Sequence, residues 1–284
     1  MKRNMLKITA MICLAIMTSQ CELPASNTIE GNGNVVTRAY DITAFDEVSV
    51  ALPATVNYTV SNTYSCRVRV DENLFDYLDI RVKDKELLMG TVKTKDGDAK
   101  VKAGNGTINV NISVNLRPTE FVIEISAPSL EEVNLASSGE FVFLTQYDAK
   151  SLEINVAGSG DIVFKEKTHI SDFEINVAGS GNVECNQITS EKMDVNIAGL
   201  GDVDIKSGNI SKMEASVAGS GSMTSHAELE KLEASIAGSG DITAKVNGTL
   251  EYSIIGSGSI NYYGNARVDG TKLGSGSVKR IKEK

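Results

Sequence analysis

The sequence predicts an all-β chain: a right-handed parallel β-helix (solenoid) with a less regular β N-terminal part. Three observations carry this expectation. A short glycine-bearing motif recurs eight times, apolar residues alternate with polar ones on both sides of each copy, and the chain holds 25 glycines against only four prolines. Period-two alternation marks strands with one buried face. Glycine marks bends that need a positive φ or no Cβ.

Residues 1–21 read as a targeting segment. Lys2 and Arg3 precede an apolar run from Ile8 to Met17, followed by Thr18, Ser19 and Gln20. That order is typical of an export signal, and the run is too short for a permanent bilayer-spanning helix. Cys21 stands where a bacterial lipoprotein signal places its acylated cysteine, and segment 1–21 resembles such a signal. Thr18 and Gln20 replace the Leu and the small residue usual there. Lipidation at Cys21 and cleavage as an ordinary secretory signal both remain open.

Residues 22–39 read as an N-terminal linker and first turn. Residues 40–130 are β-patterned without visible repetition: Val48, Val50 and Leu52 alternate, then Val56, Tyr58 and Val60, then Val68 and Val70. Asp71 to Tyr77 suits a short helical turn. Lys93 to Gly106 is polar and Gly-rich, which suits a loop or hairpin tip, and strands are expected over 108–116 and 121–125. Gly31-Asn-Gly33 and Gly104-Asn-Gly106 echo the turn motif met later.

Residues 131–284 carry the regular repeat. Its copies begin at Ala136, Ala157, Ala178, Ala198, Ala218, Ala237, Ile255 and Leu273, so the interval between copies shrinks by steps towards the C-terminus. Most read Ala-Gly-Ser-Gly. Leu152, Ile154 and Val156 precede one turn, and Ile162 and Phe164 follow it. Each repeat is therefore strand, turn, strand and a variable return, with the shortening confined to the return. Such a unit cannot close its own core, so coils stack and bury a continuous apolar column. A propeller blade needs about 40 residues or more. Right-handed winding follows from the handedness of crossovers between parallel strands.

With these residues in view, the chain resembles the family called putative auto-transporter adhesin, head GIN domain, a domain of unknown function common in envelope proteins of Bacteroidetes. The serial Gly-Ser-Gly turns followed by Asp or Asn, Phe45-Asp-Glu-Val-Ser-Val50 and Val70-Asp-Glu-Asn-Leu74 carry the resemblance, which spans about residues 28–280. It implies a parallel β-helix in the cell envelope and brings no catalytic residues with it.

Two columns of polar residues are candidate sites. Glu153, Glu174, Asp194, Glu214, Glu233 and Glu251 fall at one outward position before the turn. Lys192, Lys212 and Lys231 lie two residues earlier, and Asn155, Asn176 and Asn196 two residues later. This stripe suits divalent cations or a polycationic partner; a solvated face that keeps the solenoid soluble is the simpler reading and the one preferred. Asp161, Asn182, Asp202 and Asp241 form a second column just after the turn, where side-chain bonds to the turn backbone account for Asp and Asn.

Function is bounded mainly by exclusion. Without segment 1–20, the 28 cations lose Lys2, Arg3 and Lys7, and 25 face 37 acids, a net of −12. Such a body repels nucleic acid. His169 and His226 have no nucleophile at a fixed offset, and Cys66 and Cys185 read as two small buried thiols. The sequence points to no enzyme, cofactor or metal centre. It points instead to a cell-envelope lipoprotein, anchored in the outer membrane with a periplasmic or surface-exposed body, that offers an adhesive or protein-binding β surface to a protein or glycan ligand. A homo-oligomer through a solenoid end is compatible with the repeat. A polysaccharide-binding or polysaccharide-cleaving β-helix, or a purely structural envelope element, is the alternative.

Overall fold

Identical positions of successive repeats sit side by side. In the computed structural model, which describes residues 27–92, 99–103, 106–110 and 114–282, Ala157, Ala178, Ala198, Ala218 and Ala237 align one above the next in parallel ladders. The chain is a parallel β-solenoid with a more irregular N-terminal β part.

The turn shows why glycine recurs. Gly199 has φ +139°, and a Cβ there would sit 2.3 Å from the Gly179 carbonyl oxygen. Chirality disfavours that φ for other residues and the neighbouring coil leaves no room. The freed carbonyl is used: Gly179 O accepts the amides of Leu200 at 2.8 Å and Gly201 at 3.1 Å. At this turn the residue between the glycines contributes only its amide. Leu200 therefore replaces serine there and is 65% exposed.

The return is more ordered than the sequence suggests. Unbroken strands Asp161–Gly179, Val183–Gly199, Ser222–Gly238 and Asp241–Gly256 run through it. The shortening is absorbed as register shifts, between Phe164 and Lys167 and again around Ser225 to Lys231. The core narrows with the coil. At one inward position Tyr58, Phe143, Phe164, Cys185, Ile205, Ser225 and Ala244 succeed one another. Aromatic rings fill the wide end, where Phe143 and Phe164 stack at 4.1 Å and Phe173 meets Phe164 edge-on. Small residues follow at Ser225 and Ala244, and Tyr262 comes next in the series.

One coil was hidden. Glu47–Val50 pairs in parallel with Glu132–Leu135, and Thr55–Val60 pairs with Glu140–Phe143. Residues 47–60 are thus a further winding, and its turn is Ala51-Leu-Pro-Ala54, without glycine. Gly31-Asn-Gly33 is not such a turn. It lies against Asp71 in the cap, with the Gly33 amide donating to Asp71 Oδ1 at 2.7 Å.

The cap closes the wide end. Val35–Tyr40, Ser65–Asp71 and Phe121–Ala127 form an antiparallel sheet, and the last of these also runs parallel to Thr55–Val60. Glu86–Thr91 stacks in parallel on Glu47–Val50 and antiparallel on Leu78–Lys83. The expected helical turn is a 3-10 helix at Glu72–Tyr77, burying Leu74 and Phe75. The expected hairpin tip is a hairpin of Ala99–Ala103 and Gly106–Val110, and the strand expected over 108–116 divides between that hairpin and Val114–Arg117.

Candidate functional site: an outward acid and amide ladder

The acid column is longer than the repeat announces. Strand register continues it from Glu153 to Glu132, Glu47 and Glu86 at one end, and from Glu251 to Asp269 at the other. Neighbouring strands of a sheet lie about 4.8 Å apart. Two exposed unit charges at that separation repel by about 1 kcal/mol in water, and salt reduces it.

Two devices offset this repulsion, each along its own stretch of the column. Towards the C-terminus lysines bridge adjacent coils. Lys212 Nζ lies 2.5 Å from Glu214 and 3.3 Å from Glu233, and Lys231 lies 3.0 Å from Glu233 and 3.1 Å from Glu251. Lys192 contacts Asp194 and lies 3.6 Å from Asp172. Hydrogen bonding to its own acid is the main cause raising each of these lysines above its ordinary value.

Towards the N-terminus amides take over. Asn155 donates to Asn134 at 3.1 Å, to Glu132 at 3.2 Å and to Glu153 at 3.0 Å. Asn176 donates to Asn155 and to Glu174, and Asn196 donates to Asn176. Among the described residues no cation pairs with Glu47, Glu132, Glu153 or Glu174. Burial, then the carboxylates of Glu132 and Glu86, push the Glu47 carboxyl above its usual range. The longest run of acids without a paired cation among the described residues thus lies at the capped end, a distinction the sequence hinted at only through the absence of lysines there.

The second column bonds coil to coil. Asp161 Oδ1 accepts the Asn182 amide at 2.9 Å and its side chain at 2.8 Å. Asn182 Oδ1 accepts the Asp202 amide at 3.1 Å, Asp202 that of Ser222 at 2.9 Å, and Asp241 that of Ser259 at 2.9 Å. Each side chain caps the first amide of the next coil.

The remaining candidates do not converge on either column. His169 lies 3.6 Å from Asp148, and the His226 ring lies 6.4 Å from that of Tyr263. Tyr252 and Tyr262 pack against the core. Cys66 and Cys185 are free and buried. Among the described residues no group of three or more His, Cys, Asp or Glu is placed to hold a metal ion. No described helix is long and apolar enough to cross a membrane. A groove of about 320 Å³ lies on the antiparallel cap, lined by Thr37, Arg67, Arg69, Glu120, Val122 and Glu124. Its Arg69 and Glu120 pair at 3.1 Å. Segment 1–21, with Cys21, lies outside the described residues.

Known proteins share this architecture. A crystal structure described as a putative lipid binding protein from Parabacteroides distasonis is 32% identical, with TM-score 0.80, over 90% of this chain and 100% of that one. Two described as putative adhesins, from Parabacteroides merdae and Parabacteroides distasonis, are 23% and 22% identical, with TM-scores 0.79 and 0.77. Each covers 90% of this chain and 100% of its own, and at that identity they establish the fold alone. No curated protein matches. The family model for the putative auto-transporter adhesin, head GIN domain, matches residues 44–169 and 153–266, and the chain belongs to that family.

Proposed function

We propose that the protein is a non-catalytic cell-envelope lipoprotein, held in the outer membrane through Cys21, whose solenoid flank serves adhesion or protein interaction. One observation carries the reading: the outward ladder from Glu86 to Asp269, in which carboxylates recur once per coil instead of gathering in a groove. Acid–base or calcium chemistry on a polysaccharide needs carboxyl groups that converge on one bond or one ion. An evenly spaced flank suits an extended partner with a repeating cationic pattern. Family membership and an export-type N-terminus support an envelope location.

Two measurements test it. Radiolabelled palmitate is incorporated by the wild type and not by Cys21→Ala; equal labelling rejects the anchor. Glycan arrays and pull-downs with the wild type recover a ligand that the combined Glu47→Gln, Glu132→Gln, Glu153→Gln and Glu174→Gln variant does not. Retention by that variant removes the acid flank from the binding surface. Release of reducing or unsaturated ends from acidic polysaccharides would favour an enzyme instead.

The relative described as a putative lipid binding protein favours a second reading, lipid binding. Tyr58, Phe141, Phe143, Phe164 and Phe173 fill the wide end of the core, so an acyl chain would have to lie on an outer face. Co-sedimentation of Cys21→Ala with neutral and anionic vesicles separates the two readings.

A further inference from the structure

The last coil breaks the pattern of the core. Register places Lys272 above Ile254 and Arg280 above Tyr262, so cations stand at inward positions that lower coils give to apolar side chains. Lys272 Nζ donates to the Gly276 carbonyl at 3.1 Å, and Arg280 donates to Asn265 Oδ1 at 2.5 Å. Among the described residues no carboxylate pairs with Arg267, Lys272, Lys279 or Arg280. Lower down, Lys192, Lys212, Lys231 and Lys245 each meet one. In a chain of net charge −9, the last described coil thus carries cations that no described carboxylate pairs.

Among the described residues this coil is also an open sheet edge. Strands Arg267–Gly274 and Ser277–Arg280 each pair with the coil below, and among the described residues no strand covers their other side. Leu273 is 71% exposed. The opposite end of the solenoid is roofed by the antiparallel cap. A free edge presents main-chain donors and acceptors to an extended chain, and inward charges blunt it against strands that cannot neutralise them. A second copy docking through the same end would bring cationic edge to cationic edge. An apolar strand would desolvate Lys272 and Arg280 without a counter-charge, which is strongly unfavourable. A strand with carboxylates on its inward face completes the ladder and pairs both.

We propose that the C-terminal edge, residues 267–280, is a docking site for an extended acidic segment of a partner protein, which adds a strand to the solenoid and sets carboxylates against Lys272 and Arg280. Strand addition at this edge depends on neither the acid flank nor the lipid anchor, so it stands apart from the function proposed above.

The test uses the full chain and three synthetic peptides: an alternating Glu/Val/Thr strand former, its Lys-for-Glu counterpart, and an acidic peptide of equal charge interrupted by prolines. The acidic strand former binds and protects amides within 267–280 from hydrogen exchange. The lysine peptide and the proline-interrupted one bind at least about tenfold more weakly. In Lys272→Glu with Arg280→Glu the preference inverts towards the lysine peptide. Should that variant not fold by circular dichroism, the wild-type peptide series and the exchange protection decide alone. Equal binding of the proline-interrupted peptide would mean general polyanion attraction and overturns the proposal. So would protection elsewhere, no binding, or a folded variant with unchanged preference.

Discussion

The side-chain amide of Asn176 donates to Oδ1 of Asn155 at 3.1 Å, one coil below. Asn155 is completely buried on the outward side of its strand and donates onward to Asn134, Glu132 and Glu153. Asn155→Ala removes a donor shared by three acceptors, and unfolding stability falls by about 1–3 kcal/mol. Asn155→Asp places a further carboxylate between Glu132 and Glu153 and costs more than the alanine. Urea titration of the two variants gives this order.

Glycine substitutions separate two kinds of position. Gly199→Ala meets both the positive φ and the Gly179 carbonyl, and destabilises by about 2 kcal/mol or more. Gly90, in strand Glu86–Thr91, has open space around a Cβ and no positive φ. Gly90→Ala stays within about 1 kcal/mol of the wild type in the same titration, on the stabilising side.

Ser225 is fully buried, and its hydroxyl has no partner among the described residues. It fills the position where the narrowing core has passed from Phe164 through Ile205 and will reach Ala244. Ser225→Ala keeps the volume and removes a desolvated hydroxyl, so it raises stability by about 1 kcal/mol, seen as a higher urea midpoint.

Glu47 and Asp71 change stability in opposite senses as pH falls. Glu47 is raised by burial and then by Glu132 and Glu86, so its cost is fully present at neutral pH. That cost fades as pH falls through the raised value towards the unfolded one, about 4.3. Asp71 has the opposite sign. Burial raises it, but the amide and hydroxyl of Thr119 and the amide of Gly33 outweigh burial and hold it below its usual range. Its contribution is present above the unfolded value, about 3.9, and is lost as pH falls through the lowered one. Glu47→Gln flattens the rise on acidification; Asp71→Asn lowers stability at neutral pH and reduces its further loss in acid.

Both thiols are inert in the native state. Burial pushes Cys66 up to about 12 and raises Cys185 still further, and the thiolate is the reactive form. A thiol reagent at neutral pH modifies neither until denaturant is added. Rapid native labelling of Cys185 would show that the coil at Val183–Gly199 opens.

The repeat made the solenoid legible because each coil restates the same turn, and the turn chemistry is local. Coil 47–60 escaped notice because its turn, Ala51-Leu-Pro-Ala54, has no glycine to mark it. The cap escaped because the pairing of Thr55–Val60 with Phe121–Ala127 joins segments distant in sequence, and no periodicity reports such a partner. The same gap truncated the acid column: Glu47 and Glu86 join it only through strand register. The second column was legible as a set of residues but not in its partners, since Asp161 bonds Asn182 one coil on and Asn182 bonds Asp202, which only the stacking brings together. That Lys272 and Arg280 stand above Ile254 and Tyr262 is likewise a fact of register.

The taper has an evolutionary consequence. A coil touches only those directly above and below it, so gene duplication can lengthen or shorten the protein by whole windings. The stretch from Ala157 to Ala178 is longer than that from Ile255 to Leu273, which restricts where an extra winding fits. A copy enters smoothly beside one of its own girth, whereas a wide one set near the tip would need a new bulge and a bulkier filling than Ala244 provides. Inherited variation in copy number should therefore cluster among windings of matching circumference, leaving both extremities in place.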